Sequence, residues 1–354
     1  MSIEKQEKIE DIHEHRSEGG SAEVLKLPAL EVRNKVLWVN KDMELPFSIK
    51  KGESNKLGMF FTPVKKKSND AYPLEVQPEH HRSGILGRVI FKDKQGNLYR
   101  DVDLKGVGYT YSGKVKQPLV DASDSYQSDR SWGILEKAYA ENDIKKSEQF
   151  LKAGIRTYRP IALIKLEEII DQMGDIIPIK AAENRGMLVE DSEPVVEVRA
   201  FGTRVRVGDL GTNDINLRES MIRDAMNLVA KELSKDPDTF SEEDYRYWFI
   251  ENLATSLARM HYRNWIHGYL TTHNITLDAR IIDLDSVETI QEIMDRKKSG
   301  EVSHKSFDKD KLWIIETIYY LKEKLNHYYE IDVGGLFNEI YDKELERLRN
   351  QTKK

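Results

Sequence analysis

Residues 84 to 110 read GILGRVIFKDKQGNLYRDVDLKGVGYT, and this stretch predicts two β-strands joined by a tight turn. The segments RVIF and LYRDVDL carry residues that are typical of strands, and DKQGN between them carries turn residues. The second strand ends at Lys105, which is followed at once by Gly106 and Gly108. The stretch therefore predicts a β-hairpin ending in a lysine that is either a phosphate-binding residue or, as one of 55 Lys and Arg residues, an ordinary surface cation.

The rest of the chain predicts strands and a helix first, and mainly helices afterwards. Periodicity predicts helices over 132–153, 216–235, 241–264, 308–327 and 334–350, strands over 159–170 and 193–201, and a small hairpin over 275–284. Gly154 is the expected C-cap of the first helix, and Ser241 is the expected N-cap of the third. Residues 51–80 and 114–131 are predicted to be loops.

This order is typical of an α+β architecture with a protein-kinase-like, two-lobe fold. Residues 1–25 are acidic and polar, which predicts a disordered N-terminal tail. We expect residues 26–215 to form an N-lobe-like region with strands and a helix. We expect residues 216–354 to form a mainly helical, C-lobe-like region.

Composition excludes several classes of function. A net charge of -6 argues against bulk nucleic-acid binding. The absence of cysteine excludes disulfides, thiolate metal sites and cysteine nucleophiles. The sequence has neither a signal-peptide pattern nor an apolar run of membrane-spanning length, so we expect a cytoplasmic protein without a membrane partner.

Two further stretches carry residues suited to phosphate and metal. In VRAFGTRVRVG, residues 198–208, Arg199 and Arg206 are seven positions apart with Arg204 between them. Guanidinium groups bind phosphate in a bidentate manner, although an exposed basic strand and turn would read the same way. In HGYLTTHNITLDARIIDLD, residues 267–285, Asn274 and Asp283 offer the hard oxygen ligands that Mg²⁺ takes, although both are also common turn residues.

Together these stretches resemble one family, the selenoprotein O pseudokinases, which are protein adenylyltransferases. The resemblance rests on four stretches that come in the family's order, namely residues 84–110, SEQFLKAGIRTYRPIAL at 147–163, residues 198–208 and residues 267–285. It implies a kinase fold that binds ATP in a flipped orientation, with the γ-phosphate buried, and transfers AMP to a Ser, Thr or Tyr hydroxyl of a protein substrate. The sequence does not identify that substrate.

The resemblance also implies roles for individual residues. The ATP-binding residues would be Lys105, Gly106, Gly108, Asp143, Arg199 and Arg206, with the two arginines at the γ end. Asn274 and Asp283 would ligate Mg²⁺ or Mn²⁺. The carboxylate that holds Lys105 would come from the following helix, where Asp143, Glu141 and Glu148 are the candidates.

Two positions depart from the family's pattern. Asp143 stands where the family has a glutamate, so its side chain is one methylene shorter and the pair with Lys105 could be looser. His273 stands where the family has the aspartate presumed to be the general base. A neutral histidine can accept a hydroxyl proton. The alternatives to AMP transfer are a catalytically inactive nucleotide-binding module and a phosphotransferase with ATP in the ordinary orientation.

Overall fold

The computed structural model describes residues 25–43, 45, 48–62, 71–76, 83–94, 96–108, 133–171, 173–300, 303–325 and 332–352. The chain divides into two compact units. The first unit comprises Met1–Ile144 and Arg159–Phe201, and the second comprises Lys145–Tyr158 and Gly202–Lys354. The predicted tail at residues 1–25 lies outside the described residues except for Leu25, and the predicted loop at 114–131 lies outside them entirely.

An eight-stranded antiparallel sheet forms the first unit, with strand order β2-β7-β10-β6-β5-β4-β1-β3. Its strands are β1 (Leu25–Glu31), β2 (Asn34–Val39), β3 (Met59–Phe61), β4 (Tyr72–Val76), β5 (Ser83–Lys92), β6 (Leu98–Lys105), β7 (Arg159–Leu166) and β10 (Val195–Phe201). The short strands β8 (Glu168–Ile170) and β9 (Ile176–Pro178) pair separately and precede the helix α2 (Ile179–Asn184). The chain is therefore a mixed α and β protein with a large antiparallel sheet.

The hairpin predicted around residues 84–110 is confirmed as strands β5 and β6. Its turn is closed by Asp93, which accepts the backbone N–H of Asn97 at 2.9 Å through one carboxylate oxygen and the Asn97 side-chain amide at 2.9 Å through the other. The predicted loop over 51–80 is wrong where β3 and β4 form. Strand β4 pairs with β1, and Pro28 lies opposite Pro73. Proline is typical of loops, and these two segments form strands because they pair with each other over a long distance in sequence.

The central strands β6 and β10 are buried on both faces, and the faces differ in chemistry. Apolar residues that alternate along the strands, such as Val102 and Leu104 on β6 and Val198 on β10, belong to the main hydrophobic core. The opposite face carries charged residues. Lys105 lies opposite Glu197, and Asp103 lies opposite Arg199. Successive side chains on a strand point to opposite faces, so these four charged residues share one face.

Helix α1 (Lys137–Lys152) follows the hairpin, and the division between the units falls within it, after Ile144. Gly154 ends the helix with a φ of 70°, which confirms the predicted C-cap position. Its N-terminal half and the charged face of the sheet belong to the first unit. Ala140 on this half belongs to a small apolar cluster with Leu163 and Val195.

Helices form most of the second unit. They are α3 (Ile215–Glu232), α4 (Glu242–Tyr262), α5 (Ile290–Lys298), α6 (Phe307–Lys324) and α7 (Val333–Thr352), with the two-residue strands β11 (Trp265–Ile266) and β12 (Glu288–Thr289) between them. Ser241 caps α4 as predicted, since its hydroxyl accepts the backbone N–H of Asp244 at 3.1 Å. Within the described residues, no helix is long and apolar enough to cross a membrane.

The unit boundaries differ from the predicted boundary at residue 215. The second unit includes residues 145–158 and 202–215, because these two segments pack against and hydrogen-bond to residues of that unit. Phe150 stacks on Trp265 with ring centroids 5.1 Å apart. Val205 accepts the backbone N–H of Leu277 at 2.8 Å. At least one helix separates each segment from its partner in the sequence. Local periodicity therefore cannot predict these contacts.

Candidate functional site

The predicted pair between the strand lysine and a helix carboxylate is present. Lys105 Nζ donates to Asp143 Oδ2 at 2.8 Å, and both side chains are buried. Of the other candidate partners, Glu141 on the same helix is exposed. The shorter aspartate thus reaches the lysine at an ordinary hydrogen-bond distance, and the looser contact expected from its missing methylene is not found.

Arg199 is held by a carboxylate that the sequence analysis did not consider. Its Nε and Nη2 donate to the two oxygens of Asp103 at 2.9 and 2.8 Å, in a bidentate pair across β10 and β6. Asp103 is fully buried, and Arg199 is almost so. The prediction that Arg199 and Arg206 jointly hold one phosphate stays a prediction, because Arg199 belongs to the first unit and Arg206 to the second.

Close packing accounts for both glycines after Lys105. Gly106 has a φ of 96°, and a Cβ there would lie 2.3 Å from the Val195 carbonyl oxygen. Gly108 has a φ of 102°, and its N–H donates to the Gly133 carbonyl at 3.3 Å. A left-handed conformation explains glycine at both positions, and the close Val195 backbone is a second reason at Gly106. A role for them in ATP binding stays a prediction.

A further carboxyl group completes the charged face. Glu197 on β10 lies opposite Lys105 on β6 and is fully buried. Neither of its carboxyl oxygens has a hydrogen-bond partner among the described residues. Burial raises the pKa of Glu197 to about 8, and the negative charge of Asp143 adds to this effect while Arg199 and Lys105 oppose it. Below this pKa the group holds its proton and is a neutral carboxylic acid.

In the second unit, the stretch quoted from residues 267 to 285 forms the predicted tight hairpin. Ile275 bridges Ile281, and the Thr276 N–H donates to the Arg280 carbonyl at 3.0 Å. At the open end, the Ile282 N–H donates to the Asn274 carbonyl at 3.0 Å. The backbone therefore brings Asn274 next to the residue that precedes Asp283.

His267 fixes the chain at this open end. Its Nε2 donates to the Ile282 carbonyl at 2.8 Å, and its Nδ1 accepts the Tyr269 N–H at 3.3 Å. Burial lowers the pKa of His267, although the Ile282 carbonyl and the charges of Asp310 and Asp283 work in the other direction. A neutral ring with this tautomer holds Ile282, and through it positions Asp283.

Asp310, on α6, holds the same loop through the backbone of His267 and its neighbour. Its two carboxylate oxygens accept the backbone N–H groups of His267 at 2.8 Å and Gly268 at 2.7 Å. Asp310 is fully buried. The carboxylate thus satisfies two buried donors and ties the His-Gly turn to a helix.

Asn274 and Asp283, the two residues predicted to hold Mg²⁺, both carry side-chain oxygen atoms. The Asn274 Nδ2 donates to the Tyr269 carbonyl at 2.8 Å, which fixes the amide and leaves its oxygen as an acceptor. Asp283 is exposed and adopts a left-handed conformation with φ 64° and ψ 51°. Two oxygen donors suit Mg²⁺, which usually takes few protein ligands and completes its shell with phosphate and water. Within the described part of the chain, no group of three or more His, Cys, Asp or Glu residues is placed to hold a metal.

Asp209, a half-buried acid in the second unit, lies near Arg206 and His273. Asp209 accepts the Arg206 backbone N–H at 2.8 Å. Burial raises the pKa of Asp209, while this hydrogen bond and the charges of Arg206 and Arg204 oppose the rise. His273 itself is exposed, and its ring lies against Gly208.

Sequence reasoning missed Asp103, Glu197, His267 and Asp310 as functional candidates. Acidic residues within the apolar strand runs LYRDVDL and PVVEVRAF were the available signal for the first two. His267 was visible in the His-Gly pair but received no role. Asp310 reads as a solvated residue in the first turn of a helix, and no local pattern links it to a loop 43 residues away.

Comparisons with known proteins add little. No family model matches the chain, and no curated protein matches it. Among solved structures, the chain is similar to WaaP in complex with acyl carrier protein, at 12% sequence identity over 73% of this chain and 87% of that chain, with a TM-score of 0.21. A TM-score this low carries no argument about the fold or the function of this chain.

Proposed function

We propose that this protein is an ATP-dependent adenylyltransferase with a kinase-like fold, which transfers AMP to a hydroxyl side chain of a protein substrate. The observation that carries the proposal is the buried ion pair between Lys105 on β6 and Asp143 on α1. In protein kinases, a strand lysine is held by a carboxylate of the following helix, and this lysine grips nucleotide phosphates. The order of the described elements is the same, with the lysine strand before the helix.

The loop over residues 267–283 supports the metal part of the proposal. Asn274 and Asp283 would hold Mg²⁺ or Mn²⁺, with His267 and Asp310 keeping the loop in place. A bound divalent ion neutralises phosphate charge and orients the α-phosphate for attack. The resemblance to selenoprotein O assigns the same two positions to metal.

In the proposed reaction, a substrate hydroxyl attacks the α-phosphorus of ATP. A P–O bond to AMP forms, the bond between the α-phosphorus and the bridging oxygen breaks, and pyrophosphate leaves. His273, in its neutral form, would accept the hydroxyl proton. Lys105 would hold a phosphate oxygen, and Arg206 would lie at the γ end of the nucleotide.

A nucleotide-binding module without catalysis is the second candidate. The bidentate bonding of Arg199 to Asp103 favours it, because a guanidinium held in this way has two of its donors already engaged. The replacement of the family's aspartate by His273 favours it as well. Ordinary phosphotransfer is the third possibility.

Labelled ATP separates these functions. The purified protein is incubated with Mg²⁺ or Mn²⁺, a mixture of acceptor proteins and ATP labelled at either the α- or the γ-phosphate. We expect label to stay on protein only from the α position. Label from the γ position would mean phosphotransfer, and ATP binding without transfer would leave the binding module.

Matched variants connect the result to the site. Lys105→Ala and Asp283→Ala should each abolish transfer and weaken Mg-ATP binding by about 100-fold, the size expected for loss of a buried phosphate or metal contact. Lys92→Ala, at the exposed end of the neighbouring strand β5, and Asp238→Ala, an exposed acid of the second unit, are the controls. Unchanged Mg-ATP affinity in both site variants would contradict the assignment.

A further inference from the structure

Glu197 occupies a place on the sheet from which it can reach the phosphate-binding lysine. It lies directly opposite Lys105 in the antiparallel register of β10 and β6. Side chains directly opposite each other on one face have Cβ atoms about 5 Å apart. On its other side, Glu197 lies opposite Leu163 on β7, so its neighbour there is apolar.

Two ion pairs among the described residues lie beside Glu197 and do not include it. Arg199 pairs with Asp103 on the sheet, and Lys105 pairs with Asp143 from the helix. These four residues, on β6, β10 and α1, carry two positive and two negative charges, and their charges act on the pKa of Glu197. An ionised Glu197 would add a further negative charge to this buried cluster, which is costly.

Carboxyl oxygens without hydrogen-bond partners occur on both acids beside the lysine. Glu197 has no hydrogen-bond partner for either oxygen among the described residues, and Asp143 has none for Oδ1. Buried polar atoms without partners are uncommon in folded proteins and call for a physical explanation. Lys105 donates to the carboxylate of Asp143. The second nearby carboxyl group, that of Glu197, does not accept this hydrogen bond.

We propose that Glu197 is a positioning residue that competes with Asp143 for the ammonium group of Lys105. This proposal concerns regulation of the proposed nucleotide site and rests on the proposed function for its consequence. As a carboxylic acid, Glu197 leaves Lys105 on Asp143, where the lysine can bind phosphate. As a carboxylate, Glu197 draws Lys105 toward β10 and adds a negative charge that repels phosphate.

The consequence is a nucleotide affinity that depends on proton occupancy. Because burial raises the pKa of Glu197 to about 8, its ionisation falls close to neutral pH rather than in acid. Phosphate binding at Lys105 should weaken as pH rises through this value. Glutamine at 197 keeps the shape and remains neutral at every pH, so it should hold the binding-competent arrangement.

The first measurement does not need ATP. The side-chain ¹⁵N resonance of Lys105, assigned by its loss in Lys105→Arg, is followed from about pH 6 to about pH 9, where ordinary lysines stay charged. A carboxylic acid band in the infrared spectrum, assigned by its loss in Glu197→Gln, is followed over the same range. We expect the resonance and the band to change together, and the resonance to stay constant in Glu197→Gln. Glu193→Gln, a half-exposed acid paired with Lys165, is the control and should behave as the wild type.

The second measurement uses Mg-ATP affinity by calorimetry over the same pH range. We expect a loss of about tenfold or more in wild type above pH 8, corresponding to about 1.4 kcal/mol, and a flat profile in Glu197→Gln. The proposal is overturned if the Lys105 resonance stays constant while Glu197 titrates. It is also overturned if no carboxylic acid band titrates in this pH range. If the resonance and the band change together while ATP does not bind at any pH, the proposed function fails and the competition for Lys105 stands.

Discussion

Arg199 and Asp103 face each other across β10 and β6, and the guanidinium donates to both carboxylate oxygens, at 2.9 and 2.8 Å. The pair is buried, so Asp103→Asn should remove the negative charge that two donors of this buried guanidinium bond. We expect a loss of about 3 kcal/mol in the free energy of unfolding, measured by urea denaturation. The double variant Asp103→Asn with Arg199→Leu should recover part of the loss. A double variant as unstable as the sum of the singles would show that the two residues do not interact.

Asp143→Glu lengthens the partner of Lys105 by one methylene. The position is fully buried, and the aspartate already reaches the lysine at 2.8 Å. An extra methylene should therefore overpack the site and cost about 1 to 3 kcal/mol in stability. The exposed Glu141, exchanged for aspartate, is the control and should change stability by less than about 0.5 kcal/mol. A stabilised Asp143→Glu variant would mean that the site has room for the longer side chain.

Glu197 should make stability fall as pH rises. Burial raises the pKa of Glu197 from its ordinary 4.5 to about 8, so the folded protein holds a proton there that the unfolded chain has released. Its stabilising contribution is complete below about pH 4.5 and is lost as pH rises through about 8. We expect the free energy of unfolding of Glu197→Gln to show a shallower decline than the wild type over this range, in urea titrations at stepped pH. Parallel profiles for the two proteins would contradict the assignment.

Asp310→Ala should loosen the loop that carries the metal-binding candidates. The change leaves the buried N–H groups of His267 and Gly268 without their acceptor, at a cost of about 3 kcal/mol. We expect faster hydrogen exchange at these two amides and weaker Mg-ATP binding. Asp308→Ala, on the exposed side of the same helix turn, should affect neither.

Gly202→Ala tests a packed contact in the second unit. A Cβ at Gly202 would lie 2.0 Å from Asp278 Oδ2. That oxygen accepts Arg280 Nε at 2.6 Å, and its partner oxygen accepts the Thr276 hydroxyl at 2.6 Å, so the carboxylate cannot easily move. We expect a loss of about 1 to 3 kcal/mol in thermal or urea unfolding. Gly334→Ala, where the nearest atom would be 3.7 Å away, is the control.

Local patterns were sufficient for several elements. The hairpin β5–β6, the C-terminal Gly154 of α1 and the Ser241 cap of α4 each depend on residues close in sequence, and each was predicted. Strands β1 and β4 were not, because Pro28 and Pro73 are typical of loops and the strands exist only through pairing with each other. Strand propensity in such segments is decided by long-range partners.

The candidate site divides in the same way. The contact between Lys105 and Asp143 was predicted from a lysine at a strand end and a helix carboxylate, and it is confirmed as a contact. Asp103 and Asp310 were missed because their importance lies in burial and in partners far along the chain. The ATP, metal and proton-transfer roles of the predicted residues stay predictions.

The unequal faces of β6 and β10 also act on strand alignment. A slip of one residue between these strands would turn Glu197 and Arg199 toward the aliphatic core and bring Val198 among the charges. Each misaligned pairing would bury unmatched charge, so mispaired states are separated from the native one by a large energy gap. The charged face therefore favours a single register of β6 and β10, and this effect on folding does not depend on any ligand.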